Sequence, residues 1–265
     1  MSDFVFSQAE LQRIVTIAKQ AGNAIMDIYA QPDLQVEIKQ DDSPVTAADI
    51  ASHNVIIKGL KTYFADIAIM SEEDANIDWN TRKNWQTYWL IDPLDGTKEF
   101  IKRNGEFTVN IALIHQGQAI AGVVYAPVLS KCYSGIVGQG AWLEHNDQVS
   151  LLDISQRCIT PIPVIVGSRS HVSPDVAEYL RTVGEHQMLS VGSSLKFCMV
   201  AEGQADVYPR LGPTSEWDTA AAQAVLESAG GVVVEYPALT PLQYNPKENI
   251  LNPYFIAASA AWMAR

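Results

Sequence analysis

The 265-residue chain has little cysteine, little positive charge and no long apolar run. Its three cysteines, Cys132, Cys158 and Cys198, lie far apart without a Cys-x-x-Cys pair, which argues against a disulfide framework or zinc ribbon and favours a reducing compartment. The net charge of −12 argues against binding to nucleic-acid polymers or anionic lipid. Because no window approaches about 18 apolar residues and the N-terminus lacks a signal-peptide pattern, we expect a cytoplasmic protein without a transmembrane segment.

Local signals predict helices in both halves of the chain. Apolar residues, 48% of the composition, recur at helical spacing from residue 7 to residue 29 after a Ser7 cap, and a second helix begins near Ala47. Farther on, Ser173 and Pro174 begin another helix. The segments "GSSLKFCMVAEGQAD" and "WDTAAAQAVLESAGG" are predicted to be helical as well.

Strand patterns alternate with these helices. The segments "DIAIMSEED" and "TYWLID" are short apolar strands that end in acids, and paired strands are expected around "HQGQ" and within "KCYSGIVGQGAWLEH". Antiparallel pairing in the first part and alternating strands and helices in the second predict an α/β (α+β) protein. We expect two subdomains, residues 1–150 and 151–265, with the boundary between about residues 145 and 160.

Two of the apolar strands deliver carboxylates at their ends. Glu72 follows "AIMS", and Asp92 and Asp95 follow "WLI", with Pro93 in a turn that lets both aspartates project the same way. Clustered carboxylates repel one another unless a cation lies between them, and Mg²⁺ takes oxygen ligands. The pattern favours a metal site, and a solvated turn is the alternative.

Gly96 and Thr97 add the features of an anion site. Gly96 permits a sharp turn, and a helical turn that begins at Thr97 presents free N–H groups to an anion. Cation ligands beside an anion cradle indicate metal-assisted phosphoryl transfer. Haloacid-dehalogenase phosphatases also place Gly-Thr after an Asp-rich strand end, but their acids form an Asp-x-Asp pair, whereas Pro93 and Leu94 separate the two acids here.

Two further acids each have a structural alternative. Asp218 stands where the N-cap of the following helix belongs, and Asp49 stands at capping-box spacing from Thr46. Either residue could serve a helix end or a metal site. The sequence signals for these two roles are the same at both positions.

The order of these motifs resembles a known family. "SEED", "WLIDPLDGTKEF" and "EWDTAAAQAVLESAGG" resemble the inositol monophosphatase superfamily of Mg²⁺-dependent, lithium-sensitive phosphatases. Longer stretches resemble its bacterial 3′(2′),5′-bisphosphate nucleotidases. The resemblance implies an α-β-α-β-α layered sandwich. It also implies hydrolysis of adenosine 3′,5′-bisphosphate, a by-product of sulfate assimilation, to AMP and phosphate.

The resemblance assigns roles to the matching positions of this sequence. Asp49 and Thr97 would orient and deprotonate the attacking water. The implied ligands of two or three Mg²⁺ ions per site are Glu72, Asp92, Leu94 through its carbonyl, Asp95 and Asp218. The implied substrate contacts are Glu72, Leu94, Asp95, Gly96, Thr97, His171, Ser193, Lys196, Arg210 and Asp218.

Two other functions stay open beside this one. The first is an inositol monophosphatase or another sugar phosphatase of the same superfamily, and the second is a catalytically silent nucleotide-binding regulator. In each case the expected partner is a small molecule, and the chain is expected to be a monomer or homodimer. The resemblance is also compatible with a peripheral position on the inner face of the bacterial inner membrane.

Overall fold

Eight α-helices and fourteen strands make up the described part of the chain, which in this computed structural model comprises residues 4–32, 34, 36–38, 44–168 and 173–265. The helices are α1 (Gln8–Tyr29), α2 (Ala47–Tyr63), α3 (Trp79–Arg82), α4 (Thr97–Ile101), α5 (Pro174–Val183), α6 (Leu195–Ala201), α7 (Ala220–Ser228) and α8 (Ala260–Met263). A short 3₁₀ helix, Glu216–Asp218, precedes α7.

The strands are β1 (Glu37–Ile38), β2 (Pro44–Val45), β3 (Ala68–Ser71), β4 (Thr87–Asp95), β5 (Thr108–His115), β6 (Gln118–Ala126), β7 (Lys131–Ile136), β8 (Gly140–His145), β9 (Gln148–Leu152), β10 (Val164–Gly167), β11 (Gln187–Ser190), β12 (Val207–Arg210), β13 (Gly231–Glu235) and β14 (Phe255–Ser259).

The predicted helix starts are confirmed where local capping chemistry is present. Ser7 caps α1 in a capping box with Glu10, and its hydroxyl accepts the Glu10 N–H. Thr46 caps α2, and Ser173 caps α5 immediately before Pro174. These ends are encoded by neighbours in the sequence and need no tertiary contact.

Two large sheets organise the fold. The first, here called the large sheet, has seven strands in the order β3-β4-β5-β6-β7-β8-β9, and the second, the small sheet, has five in the order β11-β10-β12-β14-β13. The predicted pairs around "HQGQ" and within "KCYSGIVGQGAWLEH" are confirmed as β5–β6 and β7–β8. The large sheet is antiparallel except between β3 and β4, which run parallel.

The elements stack in five layers. On β4, Trp89 and Ile91 face the apolar side chains of α1 and α2, while Tyr88 and Leu90 face the opposite way, toward α6 and α7. α6 and α7 in turn share a buried cluster with the small sheet, whose other face packs against α5 and α8. The expected α-β-α-β-α sandwich is confirmed.

Because one buried cluster includes residues of both sheets, the division into residues 1–150 and 151–265 stays a prediction.

α7 lies unusually close to the large sheet over two glycines, Gly122 of β6 and its cross-strand partner Gly135 of β7, here called the glycine platform. A Cβ atom at Gly122 would lie 2.2 Å from the Ala221 carbonyl oxygen, and one at Gly135 would lie 2.9 Å from the Ser228 Cβ. Only glycine permits this approach. Asp218 stands just before α7, so the platform also sets where that acid lies.

Within the described residues, no helix is both long and apolar enough to cross a membrane. The three cysteines are free thiols: Cys132 and Cys198 are buried and Cys158 is exposed.

Candidate active site

The end of β4 carries the first two acids. The strand was expected to stop at Asp92, but it runs to Asp95, so the predicted strand end is wrong. Asp92 pairs with Asn110 of β5 and Asp95 pairs with Thr108, and the register shifts between them. This bulge replaces the simple turn expected at Pro93, and it aims the acids at one end of the sheet.

Three carboxylates converge there. One oxygen each from Asp92, Asp95 and Asp218 lies within 4.8 Å of the others. Asp92 is 1% exposed, which excludes the solvated turn for this residue. Glu72 follows β3, and its N–H donates to the Ile91 carbonyl at 3.1 Å, so the parallel β3–β4 pair brings it beside Asp92.

Burial and crowding make this cluster difficult to ionise. Burial raises the pKa of Asp92 well above its ordinary value, and the carboxylates of Glu72, Asp95, Asp218 and Asp49 raise it further. Burial also raises the pKa of Asp218 to about 8, with the Asp95 carboxylate adding to the effect. A set of hard oxygen donors that repel one another, one of them buried and two partly exposed at the cleft, fits Mg²⁺, whose charge would offset the repulsion.

Asp49 caps α2, as its sequence position suggested, and it also contacts Thr97. Its Oδ2 accepts the N–H and the hydroxyl of Thr46, both at 2.7 Å, and this closes the predicted capping box. Its Oδ1 accepts a hydrogen bond from the Thr97 hydroxyl at 3.3 Å. The same hydroxyl lies 3.4 Å from the Leu94 carbonyl, and the Leu94 N–H donates to Asp92 at 3.0 Å.

Asp218 does not cap α7. Its carboxylate accepts the Ser215 N–H at 2.9 Å and so closes a capping box around the 3₁₀ helix instead. The residue before α7, Thr219, makes no side-chain cap. The alternative of a plain helix cap is therefore wrong for α7, although Asp218 does stabilise the turn that carries it.

A cleft of about 640 Å³ opens from Asp95 and Asp218. Besides these two acids, four further predicted substrate contacts line it: Gly96, Ser193, Lys196 and Arg210. Gly96 has a φ of +93°, and the predicted helical turn after it is confirmed as α4. His171 lies outside the described residues.

Two of the cations that line the cleft, Lys196 and Arg210, are held differently. Lys196 is buried, its ammonium donates to the Ser193 carbonyl at 2.7 Å, and burial lowers its pKa to about 8. Arg210 donates to the Pro213 carbonyl at 2.6 Å, while its buried Nε has no hydrogen-bond partner in the described part of the chain. An unsatisfied guanidinium N–H beside a cleft fits an anionic ligand.

The sequence did not single out Ser194, which contacts Asp95 directly. Its N–H and its hydroxyl lie 2.6 and 2.7 Å from the Asp95 Oδ2. A serine before a helix is typical of an N-cap, but Ser194 makes no side-chain cap on α6. The position of Ser194 before a helix was the signal available in the sequence. A cap would be its usual meaning, whereas in the structure the Ser194 side chain contacts Asp95.

Comparisons with known proteins show to which family the chain is similar. The model of the inositol monophosphatase family matches residues 7–261. The chain is 54% identical over 250 residues to the 3′(2′),5′-bisphosphate nucleotidase CysQ of Salmonella typhimurium, covering 92% of this chain and 98% of that protein. For the enzyme of the same name from Escherichia coli K12 the identity is 52% over 249 residues, with the same coverage. The crystal structure of CysQ from Bacteroides thetaiotaomicron superposes with a TM-score of 0.84 at 38% identity, covering 96% of this chain and 98% of that one.

Proposed function

The chain belongs to the inositol monophosphatase family, and we propose that it hydrolyses the 3′-phosphate of adenosine 3′,5′-bisphosphate to give AMP and phosphate. It is a 3′(2′),5′-bisphosphate nucleotidase, as its relatives at 52–54% identity indicate. The observation that carries the proposal is the position of the Asp92–Asp95–Asp218 cluster, two of whose acids line a cleft that also exposes cations.

The acids of the cluster would hold Mg²⁺. The proposed ligands are Glu72, Asp92, the Leu94 carbonyl, Asp95 and Asp218. Bound Mg²⁺ supplies charge neutralisation of the phosphate and lowers the pKa of water. The burial of Asp92 and the raised pKa of Asp218 support a cation at this place rather than a solvated acidic surface.

Asp49 and Thr97 are the proposed catalytic pair. The Thr97 hydroxyl donates to Asp49, so a lone pair of the Thr97 oxygen is free to accept a hydrogen bond from water. That contact would orient the water oxygen toward phosphorus. As the bond from phosphorus to the water oxygen forms and the bond to the 3′-oxygen breaks, the water proton would pass through Thr97 to Asp49, and the departing 3′-oxygen would take a proton from solvent to become the 3′-hydroxyl of AMP. The capping contact with Thr46 holds Asp49 in place for this task.

The phosphate that is not cleaved needs cations, and Lys196 and Arg210 are the proposed partners. Ser193 and Gly96 line the same cleft and would contact the nucleotide beside them. The role of His171 stays a prediction.

The proposed setting is the cytoplasm, where the enzyme would remove a by-product of sulfate assimilation and would be inhibited by lithium. Three free thiols suit a reducing compartment. A position on the membrane surface and the choice between monomer and homodimer stay predictions.

Phosphate release from a substrate panel tests the proposal. We expect adenosine 3′,5′-bisphosphate to be hydrolysed strongly with Mg²⁺ and not after its removal by a chelator, and inositol 1-phosphate to be a poor substrate. A strong preference for the inositol ester would assign the chain to the sugar phosphatases of the family. Tight nucleotide binding without phosphate release would instead indicate a silent regulator.

A further inference from the structure

All described hydrogen bonds to the Asp95 carboxylate reach one oxygen, Oδ2. Ser194 supplies its N–H at 2.6 Å and its hydroxyl at 2.7 Å, and the Asn110 amide nitrogen lies 3.4 Å away. When all the hydrogen bonds to a carboxylate reach one oxygen, they fix the orientation of the group, and the lone pairs of the other oxygen stay available for another partner. Asp95 is therefore oriented by its neighbours before any ligand arrives.

Ser194 connects two acids of the cluster. Its hydroxyl lies 2.8 Å from the Asp218 backbone carbonyl as well as 2.7 Å from Asp95, and it accepts a hydrogen bond from Asn110 at 2.8 Å. The hydroxyl has one proton, which either oxygen can accept, while the Asn110 N–H occupies a lone pair. The Ser194 side chain thus sets the spacing between Asp95, at the end of β4, and Asp218, just before α7.

The orientation of Asn110 is itself fixed. The Thr108 hydroxyl donates to the side-chain oxygen Oδ1 of Asn110 at 3.0 Å, which leaves the side-chain amide nitrogen of Asn110 facing Ser194 and Asp95. Thr108, Asn110 and Ser194 are all buried. The contacts form a single chain from β5 through Ser194, the residue before α6, to Asp95, which lies at the cleft.

We propose that Ser194 and Asn110 are positioning residues that set the Asp95 carboxylate for Mg²⁺, a proposal that rests on the proposed function. Neither residue is a proposed metal ligand. Partners that orient a ligand lower the cost of arranging the site, and their removal typically weakens metal binding about 10–100-fold. Ser194→Ala keeps the N–H bond and loses the hydroxyl, so a loss near tenfold is expected.

Mg²⁺ binding to the nucleotide-free protein tests this by isothermal titration calorimetry. Ser194→Ala and Asn110→Ala should each raise the Mg²⁺ dissociation constant about tenfold, and the double variant should lose less than the product because both act through one chain of bonds. The KM for the nucleotide at saturating Mg²⁺ should stay near the wild-type value. Ser194→Thr, which keeps the hydroxyl, should bind Mg²⁺ like the wild type.

The matched control is Ser259→Ala, because Ser259 is equally buried and its hydroxyl has no hydrogen-bond partner among the residues described. Its Mg²⁺ affinity should not change. If Ser194→Ala binds Mg²⁺ as tightly as this control, or loses only thermal stability, the positioning role is excluded. Should Ser194→Ala not fold, the same comparison with Asn110→Ala decides.

The outcome separates this inference from the proposed function. A wild-type protein that binds Mg²⁺ and releases phosphate, with unaffected Ser194 and Asn110 variants, contradicts only the positioning role. A wild-type protein that neither binds Mg²⁺ nor releases phosphate contradicts both.

Discussion

At the scale of single residues, the two oxygens of a carboxylate serve different partners. In Asp49, Oδ2 caps a helix while Oδ1 accepts the Thr97 hydroxyl. In Asp95, Oδ2 is held by Ser194. From the sequence, a structural role and a chemical role were alternatives for such an acid. A sequence pattern identifies the residue, but it does not distinguish the two oxygens of its carboxylate. In the fold the structural contact uses one oxygen and leaves the other for the proposed chemical role.

Removal of the Asp95 charge should abolish turnover. Asp95→Asn keeps the size and one oxygen of the side chain, so the protein should stay folded, but phosphate release should fall by more than about 100-fold, beyond the range for a group that only orients a ligand. Steady-state kinetics and circular dichroism measure the two effects. Asp66→Asn, at an exposed acid, is the control, and near-normal activity of Asp95→Asn would contradict the metal assignment.

Lys196 should give the enzyme a pH-dependent affinity for its substrate. Burial lowers its pKa to about 8, against the attraction of Asp95, so the ammonium charge is present below that pH and is lost above it. The KM for the bisphosphate should therefore rise between pH 7 and pH 9.5 by about tenfold, the value of one charge-assisted hydrogen bond.

Lys196→Met is the comparison for that profile. Its KM should be high throughout and should change little over the same pH range. Parallel pH profiles for the wild type and Lys196→Met would show that another group is responsible.

At the scale of elements, the capped helices and the two hairpin pairs could be predicted, whereas the partners of strands distant in sequence could not. Ser7 and the Ser173–Pro174 pair encode helix starts locally. The pairing of β12 with β14 joins Arg210 to Phe255, and no local periodicity indicates such a contact. The Ser194–Asp95 contact was missed for the same reason, since its two halves lie on distant elements and only the packing of α6 near β4 brings them together.

The glycine platform connects packing to the site. Gly122→Ala would place a Cβ against the backbone of α7, so α7 must move. We expect the free energy of unfolding to fall by about 1–3 kcal/mol and Mg²⁺ affinity to fall with it, because Asp218 precedes α7. Urea denaturation and calorimetry measure these two quantities.

Gly212→Ala is the control for the platform variant, because no heavy atom lies within 4 Å of a Cβ built there and its φ is ordinary. Its stability should match the wild type. A Gly122→Ala protein with unchanged stability and unchanged Mg²⁺ affinity would mean that α7 can shift without moving Asp218.

At the scale of the whole molecule, the acidic cluster should make metal-free stability depend on pH. The folded-state pKa of Asp218 is raised from 3.8 to about 8, so the folded protein binds a proton that the unfolded chain releases. The contribution of Asp218 to the free energy of unfolding is fully present below about pH 4, and it is lost as the pH rises toward about 8. Without Mg²⁺, Tm should therefore fall between pH 5 and pH 9.

Scanning calorimetry in a chelator, with and without excess Mg²⁺, checks this dependence. Mg²⁺ should raise Tm more at pH 9 than at pH 5, because it binds the ionised acids. Asp218→Asn should show a shallower fall of Tm with pH than the wild type. If Tm falls equally steeply with pH in both proteins, the pH dependence arises from other groups. Glu227 is one such group, because burial raises its pKa to about 7.

The acids of the site come from different structural elements, and this has a consequence for folding kinetics. Asp92 and Asp95 end a strand of the large sheet, whereas Asp218 stands before the helix packed between the sheets. These acids come together only when that helix has docked. A partly folded state without the docked helix therefore lacks the complete carboxylate cluster that would bind a cation. We predict that this docking follows the folding transition state, so that Mg²⁺ should slow unfolding in stopped-flow experiments and leave the refolding rate almost unchanged.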